Sequence, residues 1–555
     1  MLRILLYPFR WLFFGVGAGL RALRRRKLKG WIELELAGAV HRHPSGRPNA
    51  QALLRRLQGR PEPSSIELPA LRRLVEGLEG SRVRGVLVKL RDAQLDWASA
   101  QEIRRLLKEV RDGGRPVVVH APRPLDELDA LAASGGTRIL TGPAGGFEAL
   151  GTKSRGVFLR GLLDRVGVVF EAISAGAFKS APDALTRHER SDADRTQVRT
   201  LLRGRDQALI AALAESRSQS EEEIRQHLEE GPFDPEAAQA RGLLDGECRD
   251  EDLPQALEEE SMIPASAVLA VLPRRRPRLA RGDRIAVVRV NGAIVDRAPR
   301  VGRGAAAEED IVQALRAAHQ DRRIRGVILA IDSGGGSVTA SDTIYGAVLR
   351  LNQDKPTVAL METAAASGGY YVACGASAIV AEPHTLTGSI GVFGVVPRWP
   401  ELLARLGVGT DAIHELARAN LMDPNQALLA DDRERVQRQV DGLYHRFVTL
   451  VAERRGRSLE EIHEVAQGRV WSGKDAHAVG LVDGLGGWDE AWSRVEKASG
   501  RSIRGDAVYF GGKSGPRPEP YTPTAAALAS VPTELAELVA MVETGVRWAA
   551  WAPRS

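Results

Sequence analysis

From Gly30 onward, short apolar runs alternate with stretches whose apolar positions recur at helical spacing. The runs "GWIELELAGAV" (30–40), "GVLVKL" (85–90) and "RPVVVHA" (115–121) predict strands, and "EIRRLLKEVRDGG" (102–114) predicts a helix between the last two. The same order then returns. "RIAVVRVNGAI" (284–294), "GVILAID" (326–332) and "KPTVALME" (355–362) predict strands, with a helix over "DTIYGAVLRLNQD" (342–354). Strands alternating with helices predict an α/β fold built on parallel sheets.

From the helix onward one offset of 240 superposes Pro116 on Pro356, Pro143 on Pro383, Gly151 on Gly391, and "VGVVFEAI" (166–173) on "LGVGTDAI" (406–413). Near the end of each copy stand "ARGLLDG" (240–246) and "AVGLVDG" (478–484). Internal duplication is the economical explanation. It predicts a first repeat over 30–250, a second over 283–500, and between them a linker over 251–282 that ends in the Pro- and Arg-rich "LPRRRPRLARGD". Residues 501–555 lie outside the repeat, as a loop, "SGPRPEPYTPTA" (514–525), and a helix ending in "VRWAAWAPRS".

The 555 residues exceed one core, and 27% charged with 43% hydrophobic residues describes a globular protein. Cys248 and Cys374 form no CxxC and no disulfide framework, and no histidine cluster accompanies them, so neither a metal nor another cofactor is expected. The net charge of +6 sits in the first 29 residues, which hold eight basic side chains and no acidic one. The rest of the chain is nearly neutral, which argues against a nucleic-acid partner. The same segment carries "LLYPFRWLFFGVGAGL", so residues 1–29 read as a membrane anchor. Trp11 to Leu20 is the longest uncharged stretch there, half of the roughly 20 residues that a spanning helix needs. Arg3, Arg10, Arg21 and Arg24 share one side of a helix, the pattern of a helix lying in the interface; a tilted span and a cleaved signal peptide are the alternatives.

The candidate chemistry begins at "METAAASGGYYVACG" (361–375), where Ser367 has no histidine or acid beside it. The offset carries Ser367 back to Glu127. The first copy instead holds Lys179 in "SAGAFKSAPDALTRHER" (174–190), and the offset carries that lysine to Ala419. Each copy lacks what the other has. A serine hydroxyl needs a base, and a lysine serves only when burial or a nearby cation keeps it neutral. Ser-Lys pairs are a known variant of the serine hydrolase arrangement. An oxyanion needs closely approaching amides, which "IDSGGGSVTAS" (331–341) offers through Gly336 and the residue after the serine through Gly368. Ser389, in "LTGSIGVFG", offers a hydroxyl to hold the amine. Each feature also has an ordinary alternative: a tight helix start for Ser367, a solvated side chain for Lys179, a strand-to-helix turn for the glycines. His384, in the loop "AEPHTLTG", is the rival base and is expected to be exposed, while Cys374 is expected in the core.

Taken together, "NGAI", "IDSGGGSVTASD", "AAASGGYYVACGASAIVAEPHTLTGSIGVFG", "QGRVWSGKDAHAVGLVDGLGG" and "FKSAPDALTR" resemble the signal peptide peptidase A (protease IV) family in its long tandem-repeat form. The resemblance spans about residues 30–500. It implies a Clp-protease/crotonase-like α/β fold and a serine endopeptidase that digests released signal peptides and other apolar peptides. It also implies a bowl-shaped homotetramer associated with the cell inner membrane. By motif it makes Ser367 the nucleophile, Lys179 the general base and Ser389 the hydroxyl that positions the lysine, with the Gly368 and Gly336 amides as oxyanion donors. The family's glycine loop normally reads Ser-Pro-Gly-Gly, and here Gly334 stands in the proline place. Two competing functions are a crotonase-type acyl-CoA enzyme, which would not need Ser367, and a non-catalytic membrane scaffold.

Overall fold

The computed structural model describes residues 28–42, 65–78, 81–259, 262–272, 283–297, 305–416, 418–503 and 507–510. The expected membrane-binding helix and the C-terminal loop and helix lie outside the described residues. Among the described residues no helix is long and apolar enough to cross a membrane. The chain divides into two compact units, one formed by Met1–Lys153 with Leu202–Gly282 and the other by Ser154–Leu201 with Asp283–Ser555. Residues 154–201, which precede the end of the first repeat in sequence, therefore belong to the unit of the second.

The first unit is built on a parallel sheet. Its strands are β1 (Lys29–His41), β2 (Ser65–Glu67), β3 (Arg82–Gln94), β4 (Val117–Ala121) and β5 (Arg138–Thr141), in the order β2-β1-β3-β4-β5. The alternation along β3 and β4 splits the core. Val86, Val88, Val117 and Val119 face the helices Leu68–Leu78 and Trp97–Asp112, while Leu87 and Val118 face Leu253 and Leu257. Within residues 251–282, the short strand β7 (Ile263–Pro264) adds to β1, and the helix Ala265–Val271 contributes Val268 to the same core.

In the second unit β8 (Arg284–Asn291), β11 (Ile324–Ser333), β12 (Thr357–Ala366), β13 (Ala378–Ala381) and β14 (Leu386–Gly388) form the parallel part of an eight-stranded sheet. β18 (Val508–Phe510) and β17 (Gly484–Leu485) join at its edges, and β16 (Val470–Ser472) is antiparallel to β14. Strand β9 (Ala293–Val295) pairs with β10 (Ala305–Ala307). The predicted strand over 284–294 is thus two, broken at Gly292, whose φ is +87°. Nearly every residue of β11 is buried, as a central strand covered on both faces requires. Val327, Leu329 and Ile331 meet the helices Glu308–Gln320 and Val338–Asp354 on one face, and Ile328 meets the helix Trp488–Ser499 on the other.

The offset of 240 holds in three dimensions where both copies build the sheet: β4 and β12 start at Val117 and Thr357, and β5 and β13 span 138–141 and 378–381. Helix starts correspond to within one residue. Asp96 and Ser99 form a capping box before Trp97–Asp112, and Ser337 caps Val338–Asp354. The correspondence fails at "VGVVFEAI" and "LGVGTDAI". The first lies largely in β6 (Val169–Ala175), antiparallel to β15 (Val392–Arg398); the second contains no strand. The physical reason is pairing: β6 finds β15, whereas residues 406–413 pair with no strand among the described residues and leave Ile413 95% exposed.

Candidate active site

Three segments converge in the second unit. β12 ends in Ala364, Ala365 and Ala366, all buried, and the chain turns at Ser367 into the helix Gly368–Ala373. The turn is tight enough to put Ser367 at φ +54°, a region that residues with a side chain seldom occupy, and Ser389 takes φ +50°. Three of the five non-glycine residues at positive φ among those described are Ser367, Ser389 and Gln467, so strain concentrates here. The Ser367 amide donates to Gly388 O at 2.9 Å, which ties the two serine loops together.

The small residues around Ser367 let backbones approach. A Cβ on Gly335, where φ is +102°, would stand 2.7 Å from the Gly368 nitrogen and 2.9 Å from the Ser367 Cβ; one on Gly336 would stand 2.0 Å from Ile294 O. The Gly336 nitrogen is 3.3 Å from where a Gly368 Cβ would be, so the two candidate donors are neighbours. Neither amide donates to another described residue. Gly334, in the proline place, is not among the glycines at positive φ. The loop is held from its other side. The Ile294 amide donates to Gly335 O at 3.0 Å, that of Ser337 to Ile294 O at 2.9 Å, and Asp296 Oδ1 accepts from Ser337 Oγ and Thr339 Oγ1 at 2.9 and 2.7 Å.

Lys179 arrives on the turn after β6. Pairing of β6 with β15 sets Ala175 opposite Val392, which brings the following turn beside Ser389. Both faces of this two-stranded ribbon are covered, by Val440 of the helix Ala430–Arg455 on one and by Leu159, Leu163 and Leu185 on the other. The Lys179 Nζ lies 2.9 Å from Ser367 Oγ, 2.9 Å from Ser389 Oγ and 3.0 Å from Ser389 O. Its side chain is buried, Phe393 presents its ring 5.9 Å away, and among the described residues no carboxylate opposes its charge. Burial therefore pushes its pKa down to about 7. A neutral amine has two N–H donors and one lone pair. The three contacts match that inventory: Ser389 Oγ and O can accept the two N–H groups, leaving the lone pair for the Ser367 proton.

The structure thus brings together Ser367, Lys179, Ser389, Gly368 and Gly336. His384 is buried rather than exposed, because the 382–385 turn packs beneath the site-bearing strands with Thr385 Oγ1 donating to Glu362 O at 2.5 Å. It makes no hydrogen bond to Ser367. Cys374 is buried in the core of the second unit, and both cysteines are free. Sequence reasoning counted the segment 467–470 among the family motifs but gave it no role at the site. Its Gln467 O accepts from the Phe178 amide at 2.8 Å and its Arg469 O from the Ser389 amide at 2.7 Å. "QGRVW" carried a weak signal: a Cβ on Gly468, at φ +77°, would collide with the Lys179 backbone 2.7 Å away.

The profile of Peptidase family S49 matches residues 109–263 and again 350–502, one match in each repeat and together more than half of the chain. The chain belongs to Peptidase family S49. It is a serine peptidase with two tandem α/β repeats, and the Clp protease profile also matches residues 299–385. Membership in S49 leaves the acyl-CoA and scaffold readings without support. Similar S49 relatives include Protease 4 of Salmonella typhi, 29% identical over 87% of this chain and 80% of that one. The chloroplastic serine protease SPPA of Arabidopsis thaliana is 28% identical over 77% of this chain and 65% of that one. A putative signal peptide peptidase SppA of Enterococcus faecium is 32% identical over 39% of this chain and 64% of its own length.

Proposed function

We propose that Ser367 is the nucleophile of this S49 peptidase and Lys179 its general base, with Ser389 holding the amine and the Gly368 and Gly336 amides receiving the oxyanion. The observation that carries the proposal is the 2.9 Å separation of Lys179 Nζ and Ser367 Oγ, with burial lowering the amine's pKa to about 7 so that it is neutral above that pH. In this mechanism the amine takes the Ser367 proton as Oγ attacks the scissile carbonyl carbon. The carbonyl oxygen gains charge between the two glycine amides, and the protonated amine then gives its proton to the departing nitrogen. Water repeats the sequence on the acyl-enzyme, with the same amine as base.

The substrate class in this proposal is cleaved signal peptides and other apolar peptides. The naming of the Enterococcus relative supports it, as do the basic and apolar residues 1–29, which would hold the enzyme at the inner membrane. Assembly is as a homotetramer. In its favour, residues 406–416, which form no strand, leave Leu406, Ile413 and Leu416 exposed, an apolar surface that another copy would cover. The test is cleavage of a synthetic signal peptide by detergent-solubilised full-length protein. Its kcat/KM should exceed that for an equally long charged peptide by about tenfold or more, the effect of one or two buried methylenes. Equal or reversed preference would contradict the substrate class.

A further inference from the structure

We propose that Gln197, on the helix Asp192–Arg217, is a positioning residue that fixes the Lys179 turn and the Ser389 loop at one separation. The inference rests on Lys179 being the base. A lysine side chain reaches its target through four rotatable bonds, so the amine stays within reach of Ser367 only if the backbones at both ends are fixed. The Gln197 Nε2 donates to Phe178 O at 3.3 Å and to Ser180 Oγ at 3.0 Å, the residues on either side of Lys179. It also lies 3.0 Å from Asp194 Oδ1, which accepts from Ser180 Oγ at 2.7 Å. On its other side Gln197 Oε1 accepts from the Val470 amide at 3.1 Å. Val470 follows Arg469, whose carbonyl receives the Ser389 amide at 2.7 Å, and Ser389 in turn meets Lys179 Nζ. The path closes on itself, with Gln197 joining its two halves.

The chemistry of this position selects an amide. Phe178 O is an acceptor, and Ser180 Oγ becomes one because its proton goes to Asp194; Val470 N is a donor. Only a side chain with N–H donors at one corner and an acceptor at the other meets all of them. Gln197 and Asp194 are both 4% exposed, so water does not substitute for a lost bond. The nearby charges are already engaged. Asp194 pairs with Arg190, and Arg469 stacks on Phe178 and Trp471. Replacing Gln197 leaves them in place.

The test compares Gln197→Leu with the parent as full-length protein, using a peptide substrate and active-site titration with a fluorophosphonate. The expected result is a kcat per titrated site lowered about 10- to 100-fold, the cost of a misplaced catalytic group, with KM nearly unchanged. The acid limb of the rate profile moves to higher pH as water reaches the amine. Asp194→Asn, which keeps an acceptor for Ser180 and Gln197, retains most of the rate. If the leucine variant does not fold, Gln197→Asn, too short to span both sides, is read in the same way. Unchanged kcat per titrated site and an unmoved acid limb overturn the inference. If Lys179→Ala retains turnover, it is the base assignment that fails; if that variant is inactive while Gln197→Leu is normal, only the present inference fails.

Discussion

Ser367→Ala should lower peptide turnover by about 10⁶-fold, the scale seen when a serine peptidase loses its attacking oxygen. The substitution removes one atom from a partly buried turn whose backbone bonds run through Ser367 N to Gly388 O and through Ser367 O to the Tyr371 amide. Those bonds survive, as do the Gly336 and Gly368 amides. The variant should therefore fold, bind peptide and fail to react. Fluorophosphonate labelling should vanish with turnover. Peptide hydrolysis persisting in purified Ser367→Ala would place the chemistry elsewhere.

Lys179→Ala should cost about 10²- to 10⁴-fold in kcat, the range for losing a positioned general base. The alanine leaves Ser389 Oγ and O without the amine they now face, and Ser367 Oγ without a proton acceptor, since no other side chain among the described residues hydrogen-bonds to it. The hydroxyl then attacks as a neutral alcohol. His384→Ala supplies the control, because a buried histidine with no bond to Ser367 has no part in the transfer. It should keep most of its turnover after correction for folded protein. The opposite ranking of the two variants would give the base role to histidine.

Much of this was legible in the chain. The apolar runs located the main strands because parallel strands covered on both faces must be apolar along their length. The complementary gaps at Glu127 and Ala419 pointed to a serine from one repeat and a lysine from the other. What the sequence hid was the means of bringing them together. Pairing of β6 with β15 joins residues more than two hundred positions apart, and such pairing leaves no local periodicity to read. A repeat offset also marks ancestry rather than present structure, so "LGVGTDAI" matched a strand-forming segment without forming a strand. His384 was misjudged because a histidine after proline looks like a loop residue, and its burial comes from strands distant in sequence. Gln197 was invisible for a related reason: on its own helix it is one polar residue among many, and only the turn at Phe178 and the amide at Val470 give it a task.

The central claim is that an uncharged amine from the first repeat activates the Ser367 hydroxyl of the second. It is tested most directly by the pH dependence of Ser367 labelling by a fluorophosphonate, in the parent protein and in Lys179→Ala. Burial lowers the Lys179 pKa to about 7, so the amine is a base above that pH and a charged, incompetent group below it. The parent rate should fall about tenfold per pH unit below that point and level off above it, while Lys179→Ala labels slowly without that inflection. A parent rate that ignores pH through this range, or the same inflection surviving in Lys179→Ala, would contradict the account.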